Sequence, residues 1–471
     1  MEKNRILEGN LYKSIMAFFL PIWFGTFFQQ LYNTVDAVIV GNFVGKAALA
    51  AVGGPTSTII NLLVGFFVGL SSGAGVVISM YFGSRDIENT DTAIHTAVAV
   101  AVAGGAILMI IGIPFSPVFL RWMGTPADVL PLATTYIRIY FIGSIFNLVY
   151  NIGSGILRAM GDSKKPLYFL IFASIVNIVL DILFVVVLKM GVSGVAWATI
   201  MAQAASAILV IITLSGLPDY IRFEFGKLRI NKKMCGEIFK IGIPSGLQSV
   251  MFSASNIAIM SSINSFGTDA VAAWTACGKV DAIYWMTVSS FGIANTTFVG
   301  QNFGAKNFKR MREATRACSL LALGASFIIV VVLRQFYGIL FRVFTQDAEV
   351  IRIGGEMVMI MTLGYCIYVF IETLSGAMRG VGDSIVPTVI TVLGICAFRI
   401  FWISTVMPMR NQLSTAIYSF PVSYVITASA FGIYYLSGIW FKKCARKRFG
   451  EGVFEELKAA KAADAKAAKN A

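Results

Sequence analysis

Twelve mostly apolar stretches follow one another along the chain, separated by short polar breaks. They predict spanning helices near 14–41, 56–82, 92–113, 131–157, 167–188 and 194–216, then near 242–264, 281–302, 316–338, 355–378, 386–407 and 414–441. A helix needs about 20 mostly apolar residues to cross a hydrocarbon core, and each stretch meets that length. The longest break, 217–241, is polar and basic and falls almost midway. It divides the chain into a first lobe (1–216), a cytoplasmic linker (217–241), a second lobe (242–441) and a cytoplasmic tail (442–471). After Gly450 the tail turns Ala/Lys-rich and is expected to be a solvated helix or unstructured, with no function assigned. The expected fold class is an all-α membrane protein, with twelve transmembrane helices in two pseudo-symmetric six-helix lobes.

An internal repeat supports the two lobes. The run Ser154-Gly155-Ile156-Leu157-Arg158-Ala159-Met160-Gly161-Asp162-Ser163-Lys164-Lys165-Pro166 recurs 221 residues later as Ser375-Gly376-Ala377-Met378-Arg379-Gly380-Val381-Gly382-Asp383-Ser384-Ile385-Val386-Pro387, with seven of thirteen positions identical. Similar offsets pair Gly143 with Gly364 and Pro21 with Pro244. Six helices per half is even, so the halves run parallel, and transporters built this way hold substrate near the midplane between them. Within the motif, Arg158 near a helix end reads as a partner for carbonyls. Asp162 or Ser163 reads as a cap for the next helix, with Pro166 in its first turn.

Composition changes the picture little. The chain is 57% hydrophobic and 13% charged, against about 45–50% and about 25% for soluble domains. The net charge of +14 lies in loops rather than in a nucleic-acid-binding face. Basic residues of the breaks predicted to be cytoplasmic outnumber those of the opposite breaks about three to one, which puts both termini in the cytoplasm. Cys235, Cys277, Cys318, Cys366, Cys396 and Cys444 share no CxxC spacing and read as packing residues. The first apolar run is too long for a cleaved leader. There is no nucleotide-binding or metalloprotease motif, so no enzyme is expected. His95, the single histidine, reads as structural.

The chemistry centres on Asp36. A carboxylate near the middle of a bilayer helix costs roughly 2.5–3.5 kcal/mol on insertion scales, and a chain that keeps one usually uses it. Tyr32 lies one turn earlier on the same face. In the fifth helix Asn177 and Asp181 repeat the i,i+4 relation, while Asn151 in the fourth and Thr199 in the sixth add an amide and a hydroxyl. Asp36, Asn177, Asp181, Thr199, Tyr32 and Asn151 are therefore the candidate cation or proton site. The first four of these oxygen-bearing groups suit Na⁺. Two carboxyls sharing a low-dielectric pocket also resist being ionised together, which suits a proton. In the second half Ile259 stands where the repeat would put Asp36, and Glu372 falls at the position of Asn151. Glu372, Asn33, Gln29, Asn256 and Gln248 are the candidate substrate-cavity residues. Pro21 is a candidate hinge, because it removes a backbone hydrogen bond inside a helix. Asp281 beside Lys279 reads as interfacial, and Arg399 as paired with an acid or reaching the interface.

Taken together, the two half-repeats, Leu20-Pro21 opening the helix of Asp36, Val299-Gly300-Gln301-Asn302-Phe303-Gly304-Ala305 and both Ser-Gly-x-x-Arg-x-x-Gly-Asp-Ser-x-x-Pro copies resemble the multidrug and toxic compound extrusion (MATE) family, over about residues 10–440 and closest to its DinF-like branch. The resemblance implies a V-shaped, monomeric, multi-pass plasma-membrane protein. It implies export of amphipathic, mostly cationic small molecules against inward Na⁺ or H⁺, with no other cofactor. The partners implied are organic cations and membrane lipid, not nucleic acid. The family's first-lobe cation site matches at Asp36, Asn177, Asp181 and Thr199, with Tyr32 nearby. The alternative is a lipid-linked precursor flippase of the same superfamily, which would require a cationic cavity, whereas the likely cavity here is expected to offer acids.

Overall fold

The computed structural model describes residues 4–455, and they form a bundle of helices. In the first half these are α1 (Leu11–Phe43), α2 (Lys46–Gly53), α3 (Pro55–Gly83), α4 (Ile87–Trp122), α5 (Leu130–Ile142), α6 (Ser144–Ala159), α7 (Lys164–Asp181) with a π-helical continuation Ile182–Val187, and α8 (Val192–Ser215). The second half contains α9 (Lys232–Asn264), α10 (Thr268–Val280), α11 (Ala282–Gly304), α12 (Phe308–Arg342), α13 (Ala348–Gly380), α14 (Ile385–Thr391), a π-helical segment Val392–Ala397, α15 (Phe398–Met409), α16 (Leu413–Ser437) and the short α17 (Ile439–Phe449). The tail beyond Glu455 lies outside the described residues.

Nine helices among the described residues are long and apolar enough to cross a bilayer alone, counting α2–α3 as one, and α5–α6, bent by 51°, makes a tenth. α9 and α10–α11 complete twelve. α11 is less apolar because it faces protein: its Ser290, Asn295, Gln301 and Asn302 are fully buried. Polar side chains are tolerated at membrane depth where they turn inward.

Side-chain caps start the helices that follow the basic loops. Asn10, Asp86, Asn231 and Asn307 each accept a backbone N–H two or three residues on. In the repeated motif Gly161 (φ 98°) and Gly382 (φ 92°) end their helices in a left-handed conformation that favours glycine. Asp162 then caps α7, accepting from the N–H of Lys164 (3.0 Å) and Lys165 (3.1 Å). Its copy Asp383 makes different contacts. It accepts the Tyr434 hydroxyl at 2.7 Å and pairs with Lys443 at 3.7 Å. The segment between the lobes is tied to α4 by His95. Its Nε2 accepts the Glu224 N–H at 3.1 Å, and Nδ1 lies 2.9 Å from the Asp91 carbonyl, so a neutral ring protonated at Nδ1 satisfies both.

The lobes meet where α3 crosses α9 and α11. Glycines make the crossing possible. A Cβ on Gly73 would fall 2.5 Å from the Ile238 carbonyl oxygen and 2.6 Å from the Gly242 nitrogen, and one on Gly69 would strike the Gly246 backbone. Nearer the basic loops, added carbons on Gly83 and Gly304 would strike the carbonyls of Gln301 and Met80. Around this seam Phe19 stacks on Phe291 with centroids 4.0 Å apart, Trp23 Nε1 donates to Thr287 Oγ1 at 3.0 Å, and the Tyr81 hydroxyl donates to Glu237 at 3.1 Å. The amino-terminal segment adds a clasp. Asn4 donates to Gln301 Oε1 (3.0 Å), Gln301 Nε2 donates to the Ala159 carbonyl (2.6 Å), and Arg310 Nε donates to the Ile6 carbonyl (3.0 Å). All these contacts lie toward the end that carries the basic loops. Among the described residues no hydrogen bond, ion pair or ring contact joins the lobes at the opposite end, and the molecule opens there as a V.

The seam has no room for a side chain. Gly73→Leu is expected to force α3 and α9 apart and to lower the thermal unfolding midpoint of the purified protein in detergent, at the roughly 1–3 kcal/mol that overpacking costs. An unchanged midpoint would mean that the crossing has slack.

Candidate functional site

Two carboxyls meet inside the first lobe. α1 lies along α7, and the Asp36 carboxyl faces that of Asp181 and the amide of Asn177. All three side chains are buried, Asp181 completely. Asp36 Oδ1, both Asp181 oxygens and both amide atoms of Asn177 have no hydrogen-bond partner. A buried polar group left unpaired costs about 1–3 kcal/mol, and five such atoms face one another here. Asp181 is the last residue of the α-helical part of α7; from Ile182 to Val187 the helix widens into π geometry. Such bulges are frequent at functional sites because they re-aim the neighbouring side chains.

Tyr32, Asn151, Thr199 and Gln29 surround a cavity of about 30 Å³ beside these carboxyls, with Asn177 in its wall, room for a water-sized guest. Thr199 Oγ1 donates to the Val195 carbonyl at 2.9 Å, which leaves its lone pairs available. The donor set of carboxylate, amide and hydroxyl oxygens fits a hard monovalent cation, and the facing carboxyls fit a shared proton. Two neighbours were not read from the sequence. Tyr136 on α5 stands within electrostatic reach of both carboxyls, and Gln203 on α8 lines the cavity with its Oε1 unpaired. The i,i+4 spacing of Tyr136 and Tyr140, polar tips on one helical face, was the available signal.

A second, larger cavity of about 330 Å³ lies between the lobes. Gln248, Glu372 and Asn151 line it, Asn151 facing both cavities. Gln29 belongs to the small first-lobe cavity instead. Asn33 and Asn256 are exposed on the parts of α1 and α9 beyond the seam and line neither cavity. Pro21 is buried in α1, which runs unbroken through it from Leu11 to Phe43.

Three readings change. Arg158, expected to serve a helix end, faces the interlobe cavity together with Arg379, because Asp162 and Gly161 already terminate and cap the helices. The cavity therefore offers two guanidiniums and one carboxylate, not acids alone. Arg399 neither pairs with an acid nor reaches an interface: it is 2% exposed, stacks on Phe420 at 4.0 Å and donates to Ser423 at 3.2 Å. Asp281 is not interfacial. It is buried where α10 breaks into α11, accepting the Tyr365 hydroxyl at 2.6 Å and Trp285 Nε1 at 3.1 Å.

Helical lobes around a polar cleft, with unpaired polar groups at membrane depth, define a multi-pass membrane transporter. A family model, MatE, matches residues 21–183 and 244–403, one match in each half, and the chain belongs to that family, the MATE transporters, which are not enzymes. The chain is 29% identical over 444 residues to "Probable multidrug resistance protein YpnP" of Bacillus subtilis, a match covering 93% of this chain and 98% of that one. It is 21% identical over 387 residues to "Multidrug export protein MepA" of Staphylococcus aureus, covering 82% and 85%. Among solved structures, an outward-facing MATE family transporter superposes with a TM-score of 0.86 at 21% identity, covering 93% of this chain and 98% of that one.

Removing the Asp281 carboxyl strands two buried donors. Asp281→Ala is expected to destabilise the protein by about 2–6 kcal/mol, about 1–3 for each donor left unpaired, read as an earlier midpoint in detergent unfolding. The conservative Asp281→Asn should recover much of the loss, since its amide oxygen still accepts. A midpoint unmoved by the alanine would remove the structural role given to this residue.

Proposed function

We propose that this protein exports amphipathic, mostly cationic small molecules across the plasma membrane, driven by inward flux of H⁺ or Na⁺ through the acidic site of the first lobe. The observation that carries the reading is the meeting of Asp36, Asp181 and Asn177 with their polar atoms unpaired in a buried pocket. A proton or a hard cation bound there would relieve the repulsion of two carboxyls in low dielectric, and its departure would restore it. That difference in free energy is what a coupled carrier needs in order to bias one lobe arrangement over another. With the basic loops in the cytoplasm, the open end of the V faces outward, the state from which cargo leaves and the coupling ion enters. Asn151, which lines both cavities, is the natural link between ion site and cargo. The names of the relatives, a multidrug resistance protein and a multidrug export protein, support the same class of cargo.

One observation leans toward the alternative, a lipid-linked precursor flippase: the interlobe cavity carries two guanidiniums to one carboxylate. Glu372 neutralises one of them at 3.1 Å, which leaves far less positive charge than a pyrophosphate carries negative.

Proteoliposomes test the reading. With an inward H⁺ or Na⁺ gradient imposed separately, the wild-type chain is expected to move a fluorescent organic cation uphill under one of the two. Asp36→Asn and Asp181→Asn should each fall to the leak of protein-free vesicles while remaining monodisperse on size exclusion. Uphill transport by both neutral variants would sink the coupling assignment.

A further inference from the structure

The internal repeat builds a charge imbalance into the interlobe cavity. Glu372 and Arg379 stand two turns apart on α13 and form an ion pair at 3.1 Å. The 221-residue offset maps them onto Asn151 and Arg158 of α6, and all four line the same cavity. Asn151 has no charge to offer, and its amide nitrogen already donates to the carbonyl (2.8 Å) and side-chain oxygen (3.0 Å) of Asn147. Gly292 leaves space on the Arg379 side, where an added Cβ would strike the Glu372 carboxylate. Among the described residues the Arg158 side chain forms no ion pair and no hydrogen bond, and Nε of Arg379 is unpaired as well. The duplication thus kept both arginines and neutralised only one.

A guanidinium enclosed between helices is expensive unless an anion meets it. Its planar fork of N–H donors matches a carboxylate through two parallel hydrogen bonds. Ser72, Ser289 and Thr297 line the same cavity, and their hydroxyls can hydrogen-bond oxygens that the fork leaves free. We propose that Arg158 is the anion-recognition residue of the interlobe cavity, holding the carboxylate of an amphipathic compound between the two lobes. The proposal rests on the export reading and sharpens it: the favoured cargo is zwitterionic, with a carboxylate as well as a cationic body.

Two xanthene dyes that differ by one methyl ester make the test: rhodamine 110, with a free benzoate, and rhodamine 123, its methyl ester. Binding to the purified full chain is read by fluorescence anisotropy. The wild type is expected to hold the free acid about tenfold more tightly, the ratio that 1.4 kcal/mol represents. Arg158→Gln should bring that ratio to one, and Arg158→Lys should restore part of it. Equal affinities in the wild type, a preference for the ester, or a ratio that survives Arg158→Gln overturns the proposal. The wild-type comparison needs no variant, so a glutamine variant that fails to fold leaves the test standing. If vesicles export the ester uphill while the acid gains nothing, the export reading stands and only the role of Arg158 falls. If neither dye moves, the export reading falls separately.

Discussion

The architecture depends on how closely two backbones approach. α3 and α9 cross at Gly69, Gly73, Gly242 and Gly246 with no space for a Cβ between them. In a bilayer there is no hydrophobic drive between helices, so association relies on close packing, and small residues permit it. Because the seam is tight toward the basic loops, the lobes splay at the other end, and the cavity lined by Arg158, Glu372 and Gln248 lies at the bottom of the V. The clasp made by Asn4, Ile6, Gln301 and Arg310 reinforces that closure. A transporter must also be able to undo it. Backbone contact through glycine suits this role, since it offers complementarity of shape without interdigitated side chains that would have to be withdrawn.

Buried charge appears in two forms, and the difference separates structure from site. In the second lobe Asp281 accepts two hydrogen bonds from aromatic side chains, and Arg399 lies on Phe420 and Tyr424. Those groups are largely provided for, although one Arg399 nitrogen remains unpaired. In the first lobe Asp36, Asn177 and Asp181 face one another with most of their polar atoms unpaired. The π-helical segments sit beside both kinds, directly after Asp181 and two residues before Arg399, so the bulge alone does not tell them apart. The state of the hydrogen bonds does.

Sequence reasoning reached the first-lobe acids because two ordinary rules coincide there. Carboxylates are costly in apolar helices, and an i,i+4 pair such as Asn177 and Asp181 shares a face. It reached the helices because apolar run length is a strong signal, even for α9 and for α11, whose polar residues turn inward. It could not separate Arg399 from Arg158: both are basic residues within helices, and only packing shows that one is stacked on an aromatic ring and the other open to a cavity. Asp281 misled for the opposite reason. Lys279 two residues away suggested an exposed pair, but residues two apart do not share a helical face, and the chain breaks between α10 and α11 at that residue.

The repeat carries most of its information where it fails. Motif positions that the two halves share, such as Gly161 with Gly382, serve the backbone turn common to both. Positions where they differ set the lobes apart: Asp36 against Ile259, Asp181 against Trp402, Asn151 against Glu372. Asp36 and Asp181 both have uncharged counterparts in the second lobe, while the one acid of the interlobe cavity, Glu372, belongs to the second. Negative charge that a cation can use is therefore concentrated inside one lobe, and the cavity between lobes is left with an arginine whose copy is neutralised. The carboxylates of the first lobe and the charges of the interlobe cavity are thus separate sets, held in different places by the pseudo-symmetric scaffold, and Asn151 lines both cavities.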